Sequence, residues 1–246
     1  MTILVTRPEP AGSALVTQLH KFGYEAWSLP LIEFAPGCDL NNLPKQLATL
    51  RTGDLVFLLS QRVIHYAHPV LELYNTAWPA EIKYYAIGYK TAVAFHTISG
   101  HNVDYPRTKE ISEELIRLSS LQQISGKKAL ILRSDKGRKV LAETLNERGA
   151  KVLFSQCYQH CQKLYDGVIE GNRWRSYGIK TLVITSGAML QQLFFLFPEV
   201  DRTEWLLRCR IVVVSERLAI LANQLGWQDI QIANGADNDA LLRTLC

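Results

Sequence analysis

Apolar residues fall in short runs separated by stretches of helical spacing, and the two patterns alternate along the chain. Ile3–Thr6 is a short β-branched run, the mark of a buried strand. Behind it Ala11, Ala14, Leu15, Leu19 and Phe22 recur at helical spacing until Gly23 stops the helix. Glu25–Leu31 predicts a strand, as does Leu55–Leu59, with a helix over Val63–Leu73. Lys83–Ile87 predicts another strand, with a helix from Thr91 to about Thr97 ahead of Gly100. The second half repeats this order, with strands expected at 128–132, 151–156, 181–185, 210–214 and 229–233. Helices are expected at 138–147, 187–196 and 216–225. Such alternation implies α/β architecture, with parallel sheets covered on both faces.

The repetition holds at the level of residues. Arg7 and Arg133 stand 126 residues apart, and Leu15 with Leu141, Gly23 with Gly149 and Ser60 with Ser186 keep that offset. Tyr85-Ala-Ile-Gly88 aligns with Val212-Val-Val-Ser215 at an offset of 127, which Ala92 and Ala219 share. Ser112-Glu-Glu-Leu115 returns to 126 against Asn238-Asp-Ala-Leu241. The chain is a tandem pseudo-repeat of two halves.

Parallel α/β sheets place ligands beyond the carboxyl ends of their strands. The loops there are Thr6-Arg7-Pro8, Ser60-Gln61-Arg62, Gly88-Tyr89-Lys90-Thr91, Arg133-Ser134-Asp135-Lys136-Gly137-Arg138, Ser186-Gly187 and Ser215-Glu216-Arg217. They are rich in hydroxyls, small residues and cations, and several open a helix, where free N–H groups attract anions. Each serine would serve equally as a plain helix N-cap. Taken with the interleaved arginines and lysines, the set predicts an anion-binding cleft, since an arginine fork can bond both oxygens of a carboxylate.

Composition narrows the class. The 246 residues carry 27 basic and 23 acidic side chains, for a net charge of +4. That excess suits an anionic ligand and falls short of a nucleic-acid-binding stripe. The longest apolar runs, such as Leu55–Leu59, are far below the ~20 residues of a membrane span. Met1 leads directly into Ile3-Leu4-Val5 without the pattern of a signal peptide, so a cytoplasmic protein is expected. Five cysteines at irregular spacing argue for reduced thiols rather than a disulfide framework.

Several chemistries drop out. No Gly-x-Gly-x-x-Gly, Walker loop or Gly-x-Ser-x-Gly elbow occurs. Cys157, His160 and Cys161 have no second ligand pair at usable spacing, so no metal site is expected.

Thr6-Arg7-Pro8, Leu58-Leu59-Ser60, Ala86-Ile87-Gly88-x-x-Thr91-Ala92, Arg133-x3-Gly137-Arg138-x2-Leu141, the strand leading to Tyr158, and Ile184-Thr185-Ser186 together resemble the uroporphyrinogen-III synthases along essentially the whole chain. The resemblance implies two Rossmann- or flavodoxin-like parallel-sheet lobes joined by a two-strand hinge. One lobe would comprise about 1–36 with 165–246 and the other 39–159, with linking strands near 30–37 and 156–164. It implies a cofactor-free, metal-free lyase whose substrate is hydroxymethylbilane, a linear polycarboxylate tetrapyrrole. The enzyme would close this into uroporphyrinogen III with loss of water and inversion of the last pyrrole. No nucleic acid or membrane partner is implied, and a monomer is the default.

By motif position, Tyr158 matches the family tyrosine proposed to assist departure of the hydroxyl. A phenol keeps its proton at neutral pH and so can donate it. Arg7, Ser60, Gly88, Thr91, Arg133, Arg138 and Ser186 carry over as substrate-binding residues. The chain departs from the family at Ser215-Glu216-Arg217-Leu218-Ala219, where glycine and threonine are frequent, and there Ser215 or Arg217 would bind carboxylate instead. A non-enzymatic two-lobed binding protein for a small anion shares the repeat and the cleft. On the enzymatic reading, Arg217→Ala should raise the KM for substrate, and an unchanged KM would remove Arg217 from the set.

Overall fold

Short apolar runs, shielded on both faces, pair side by side in the computed structural model, which describes residues 1–246 except Arg138. In chain order the elements begin with Thr2–Val5 (β1), Ala11–Lys21 (α1), Glu25–Ser28 (β2), Ile32–Pro36 (β3), Leu43–Ala48 (α2) and Leu55–Leu58 (β4). Gln61–Leu73 (α3), Lys83–Ala86 (β5), Tyr89–Ser99 (α4), Val103–Asp104 (β6), Ser112–Leu115 (α5), Lys128–Ser134 (β7) and Val140–Glu147 (α6) follow. The chain continues through Lys151–Gln162 (β8), Gly167–Ser176 (α7), Thr181–Val183 (β9), Gly187–Leu196 (α8) and Glu199–Glu204 (α9). It ends with Arg210–Val213 (β10), Glu216–Gln224 (α10), Ile230–Ile232 (β11) and Asn238–Leu245 (α11).

The strands form two sheets, ordered β11-β10-β9-β1-β2 and β3-β8-β7-β4-β5-β6. The sequence repeat explains the likeness of the two orders. At an offset of 126 or 127, β1 corresponds to β7, β2 to β8, and β4, β5 and β6 to β9, β10 and β11. Both sheets therefore run through equivalent strands in the same order, with β3 added at one edge. Each sheet draws strands from both halves of the repeat. Compact units follow the sheets: residues 1–33 with 161–246 form the first, and 34–160 the second.

Within the first unit, Ile3 and Val5 face a core with Leu15, Leu19, Val183, Val212 and Leu241. Leu4 faces the other side, with Leu182, Ile211, Val213, Leu190 and Trp227. The second unit is built alike. Leu55, Phe57, Ala129 and Ile131 pack with Leu141 and Leu145 on one face. Val56, Leu58, Leu130 and Leu132 pack with Val63, Ala67 and Phe95 on the other. Alternate residues of one strand thus serve two cores, which is why the strands read as continuous apolar runs. Full burial of each leucine, isoleucine or valine contributes about 1.5–3 kcal/mol.

Differences from the predicted elements have local causes. The strand expected over Glu25–Leu31 stops at Ser28, and a second begins at Ile32. Pro30, which has no N–H to give a ladder, lies between them. Strand β8 runs unbroken from Lys151 to Gln162, through the strand predicted at 151–156 and into the span of the linking strand near 156–164, and β7 reaches Ser134, past the predicted 132. Helix α7 has no counterpart among the predicted elements: Gly167, Gly171 and Asn172 blur its apolar face, and its start is set by the Asp166 carboxylate, which accepts the Val168 and Ile169 N–H groups.

The thiols divide by burial. Cys157 and Cys209 are buried, and desolvation pushes each thiol up to about 12, whereas Cys38 and Cys246 are exposed. An alkylating reagent at pH 8 should label Cys38 and Cys246 in the folded protein and reach Cys157 and Cys209 only on unfolding. Mass spectrometry of the labelled peptides reads this directly.

Candidate active site

At the end of β4 the chain turns into α3 through Ser60, whose hydroxyl accepts the Val63 N–H at 3.3 Å and caps the helix. The same Oγ lies 3.3 Å from the phenol oxygen of Tyr158, reaching over from β8. Tyr158 is 8% exposed, with its ring stacked on Tyr66 at 5.9 Å and edge-on to Phe34 at 5.7 Å. The Tyr66 hydroxyl donates to the Phe34 carbonyl at 2.8 Å, which fixes this aromatic wall. Arg62, in the first turn of α3, lays its guanidinium over Phe34 at 3.4 Å from the ring centroid and stands 6.0 Å from the Tyr158 ring. Burial draws the Arg62 pKa below its ordinary value, and Tyr158 and Tyr66 oppose that shift.

The end of β7 supplies the cations. Arg133 stacks on Phe154 at 4.3 Å. Beyond it, Ser134 closes a tight turn: its hydroxyl donates to the Lys136 carbonyl at 2.6 Å and accepts the Lys136 N–H at 3.1 Å. A cavity of about 290 Å³ opens at these strand ends, walled by Ser60, Tyr158, Arg133, Lys136, Glu110 and Ile87 among others. It combines an apolar wall, a hydrogen-bonded phenol and two cationic side chains, which is a recipe for holding an anionic aromatic ligand.

Gly88 begins α4 beside this cavity with extended backbone. A Cβ there would fall 2.2 Å from the Glu110 carboxyl carbon, because Glu110 folds over the turn and accepts the Tyr89 N–H at 2.9 Å. Thr91 is turned inward from the third helical position and is buried, away from the cavity wall. Arg138 lies outside the described residues.

The first unit carries the other residues singled out from the sequence. Arg7, at the end of β1, donates to the Asn238 side chain, and burial lowers its pKa while Asp237 opposes the shift. Ser186 and Ser215 cap α8 and α10, accepting the Met189 and Leu218 N–H groups at 3.3 and 3.4 Å. Arg217 is exposed on the first turn of α10. Among the described residues no cluster of His, Cys, Asp or Glu is arranged to hold a metal ion.

Arg62, Lys136 and Glu110 stand out in the structure and not in the sequence-derived set. Arg62 and Lys136 fall inside loops that the sequence marks as cationic strand ends, but nothing local separates them from their neighbours there. Glu110 reaches Gly88 from 22 positions away, and no local pattern announces it.

The family model for uroporphyrinogen-III synthase HemD matches residues 13–243. The chain belongs to the uroporphyrinogen-III synthase family. Along the full length of both chains it is 56% identical to the uroporphyrinogen-III synthase of Salmonella typhimurium and 53% identical to that of Escherichia coli K12. The fold is that of a mutant synthase from the extreme thermophile Thermus thermophilus, with a TM-score of 0.60 at 18% identity over 100% of this chain and 98% of that one. A Helicobacter pylori synthetase of the same name gives 0.59 at 17%, over 98% and 96%. The activity of the family is a cyclising hydro-lyase step of haem biosynthesis.

Next to this cavity, Asp135 has its pKa lowered: burial raises it, but hydrogen bonds from His160 outweigh that, with the charges of His160 and Lys136 adding to the lowering. A carboxylate depressed on folding stabilises the folded state fully above its unfolded value of about 3.9, and the contribution disappears as pH falls through the folded value. Urea denaturation at pH 7 and pH 3 should therefore show a smaller acid loss of stability in Asp135→Asn than in the parent.

Proposed function

We propose that the chain performs its family's reaction at the cavity beyond β4, β7 and β8, with Tyr158 as proton donor. The observation that carries this reading is the buried phenol, held 3.3 Å from Ser60 on the wall of a pocket that also presents Arg133 and Lys136.

Hydroxymethylbilane must lose hydroxide, a poor leaving group, from a carbon attached to a pyrrole. The pyrrole nitrogen pushes electrons toward that carbon, and the carbon–oxygen bond breaks as the phenol proton passes to the departing oxygen, so water leaves. A positioned general acid of this kind is worth roughly 10²–10⁴-fold. Ser60 orients the phenol and can donate to the phenoxide that results. Arg133 and Lys136 neutralise substrate carboxylates, whose mutual repulsion opposes bringing the chain ends together. Holding those ends in one geometry supplies the remainder by orientation.

Arg7, Ser186, Ser215 and Arg217 occupy matching strand-end positions in the first unit and act there as carboxylate-holding groups on this reading. Gly88, having no side chain, leaves room for Glu110 to fold over the α4 turn at the edge of the pocket. The chain passes between its units at Glu33–Phe34 and His160–Cys161, and these crossings in β3 and β8 act as the hinge. The protein works as a monomer in the cytoplasm without a cofactor.

Freshly made hydroxymethylbilane, incubated with the protein and then oxidised, should give type III porphyrin, where unassisted closure gives type I. Tyr158→Phe should lower kcat about a hundredfold with KM little changed, because a proton donor acts in the transition state. Type I alone from folded parent protein would exclude the reaction, and full activity in Tyr158→Phe would remove the phenol from it.

A further inference from the structure

Strand β8 does not pair evenly with β7. Arg133 lies opposite Gln156, but the next residue, Ser134, lies opposite Tyr158, so Cys157 is passed over. This bulge has a visible effect on side-chain direction. Neighbours on a regular strand face opposite sides, yet Cys157 and Tyr158 are both buried and pack into the same core. The extra residue turns the phenol to the side where Ser60 and the cavity are.

A bulge leaves the ladder loose unless something closes it beyond the irregular point. Asp135 does so here. Its N–H donates to the Tyr158 carbonyl at 3.1 Å. Its carboxylate Oδ1 accepts the His160 N–H at 3.1 Å and bonds the His160 ring Nδ1 at 2.6 Å. With β7 ended at Ser134, the carboxylate takes the place of the backbone carbonyl that a continuing strand would have offered. Tyr158 is thereby gripped through its own carbonyl and through the residue two places on. The His160 ring also stands 5.1 Å from Phe34, the ring that carries Arg62.

We propose that Asp135 and His160 form a latch that holds the β8 bulge and so aims Tyr158 into the pocket, which makes both of them positioning residues for the reaction. The proposal rests on the proton-donor reading of Tyr158. Since Asp135 also precedes Lys136 in the Ser134 turn, the latch ties the phenol to a cationic wall of the same cavity.

A double-mutant cycle separates positioning through Tyr158 from general support of the fold. Asp135→Ala should lower kcat about tenfold to a hundredfold, the cost of a misplaced catalytic group, with KM changed by no more than about twofold. Asp135→Asn keeps an oxygen acceptor in the same place and should recover most of the rate. His160→Ala, which spares the backbone N–H, should fall between them. In a Tyr158→Phe background, Asp135→Ala should cost nothing further, because the group it positions is already gone. The same fall in kcat in both backgrounds would overturn the latch, as would Asp135→Ala with the parent's kcat. Should Asp135→Ala prove unfolded by circular dichroism, the comparison of His160→Ala with and without Tyr158→Phe decides in its place. A slow Tyr158→Phe beside a fully active Asp135→Ala defeats the latch alone, whereas a fully active Tyr158→Phe defeats the proton-donor reading and the latch with it.

Discussion

The structure depends on the parallel pairing of strands that come from different halves of the repeat. Strand β1 lies between β2 and β9, and β7 lies between β8 and β4. A strand inside such a sheet must satisfy its N–H and C=O groups on both sides and bury both faces. That single requirement selects the apolar runs, demands helices above and below, and sends the strands paired in parallel toward the same edge; only β3, antiparallel to β8, runs the other way among the described strands. Helix N-termini follow strand ends, so Ser60, Gly88, Ser186 and Ser215 all open helices at such edges. Anion-seeking chemistry is concentrated there by topology before any particular side chain is chosen.

What the second unit adds is a phenol in a setting that is neither fully wet nor fully dry. Tyr158 has aromatic neighbours on two sides, a hydroxyl at its oxygen and a stacked guanidinium within 6.0 Å of its ring. The cation is held against a ring face, beside the wall that carries the phenol. Glu110 supplies the opposite sign at the α4 turn, accepting the Tyr89 N–H that an incoming carboxylate would seek. The pocket is therefore polarised across its width, with cations on the β7 side and an anion beside β5.

Much of the fold was legible because its strands are buried on both faces and must be apolar throughout. Leu55–Leu58 and Arg210–Val213 announce themselves by run length alone. The repeat made the second half readable from the first. Ser60 and Arg133 were singled out because strand ends are where such sheets keep their chemistry, and Tyr158 through family resemblance. Other features depend on pairs distant in sequence. The bulge at Cys157 exists only in the register of 133–134 against 156–158, and no local pattern encodes a register. The Arg62–Phe34 stack joins residues in different elements. The inward turn of Thr91 follows from helix phase once the packing side of α4 is known, which the weak amphipathic signal of that helix did not disclose.

The exchange of strands between the repeats has a consequence for how the protein is made. Residues 34–160 contain every strand of their sheet from β4 to β8 and can condense once His160 has left the ribosome. The opening segment has no such freedom. Val5 pairs with Val183, and the far edge of that sheet is complete only when Ile232 appears. Strand β1 is thus an inner strand of the unit that closes last. During translation β1 can pair with β2 and pack on α1, but its other edge stays open until β9 emerges, which leaves that edge in need of cover in the nascent protein.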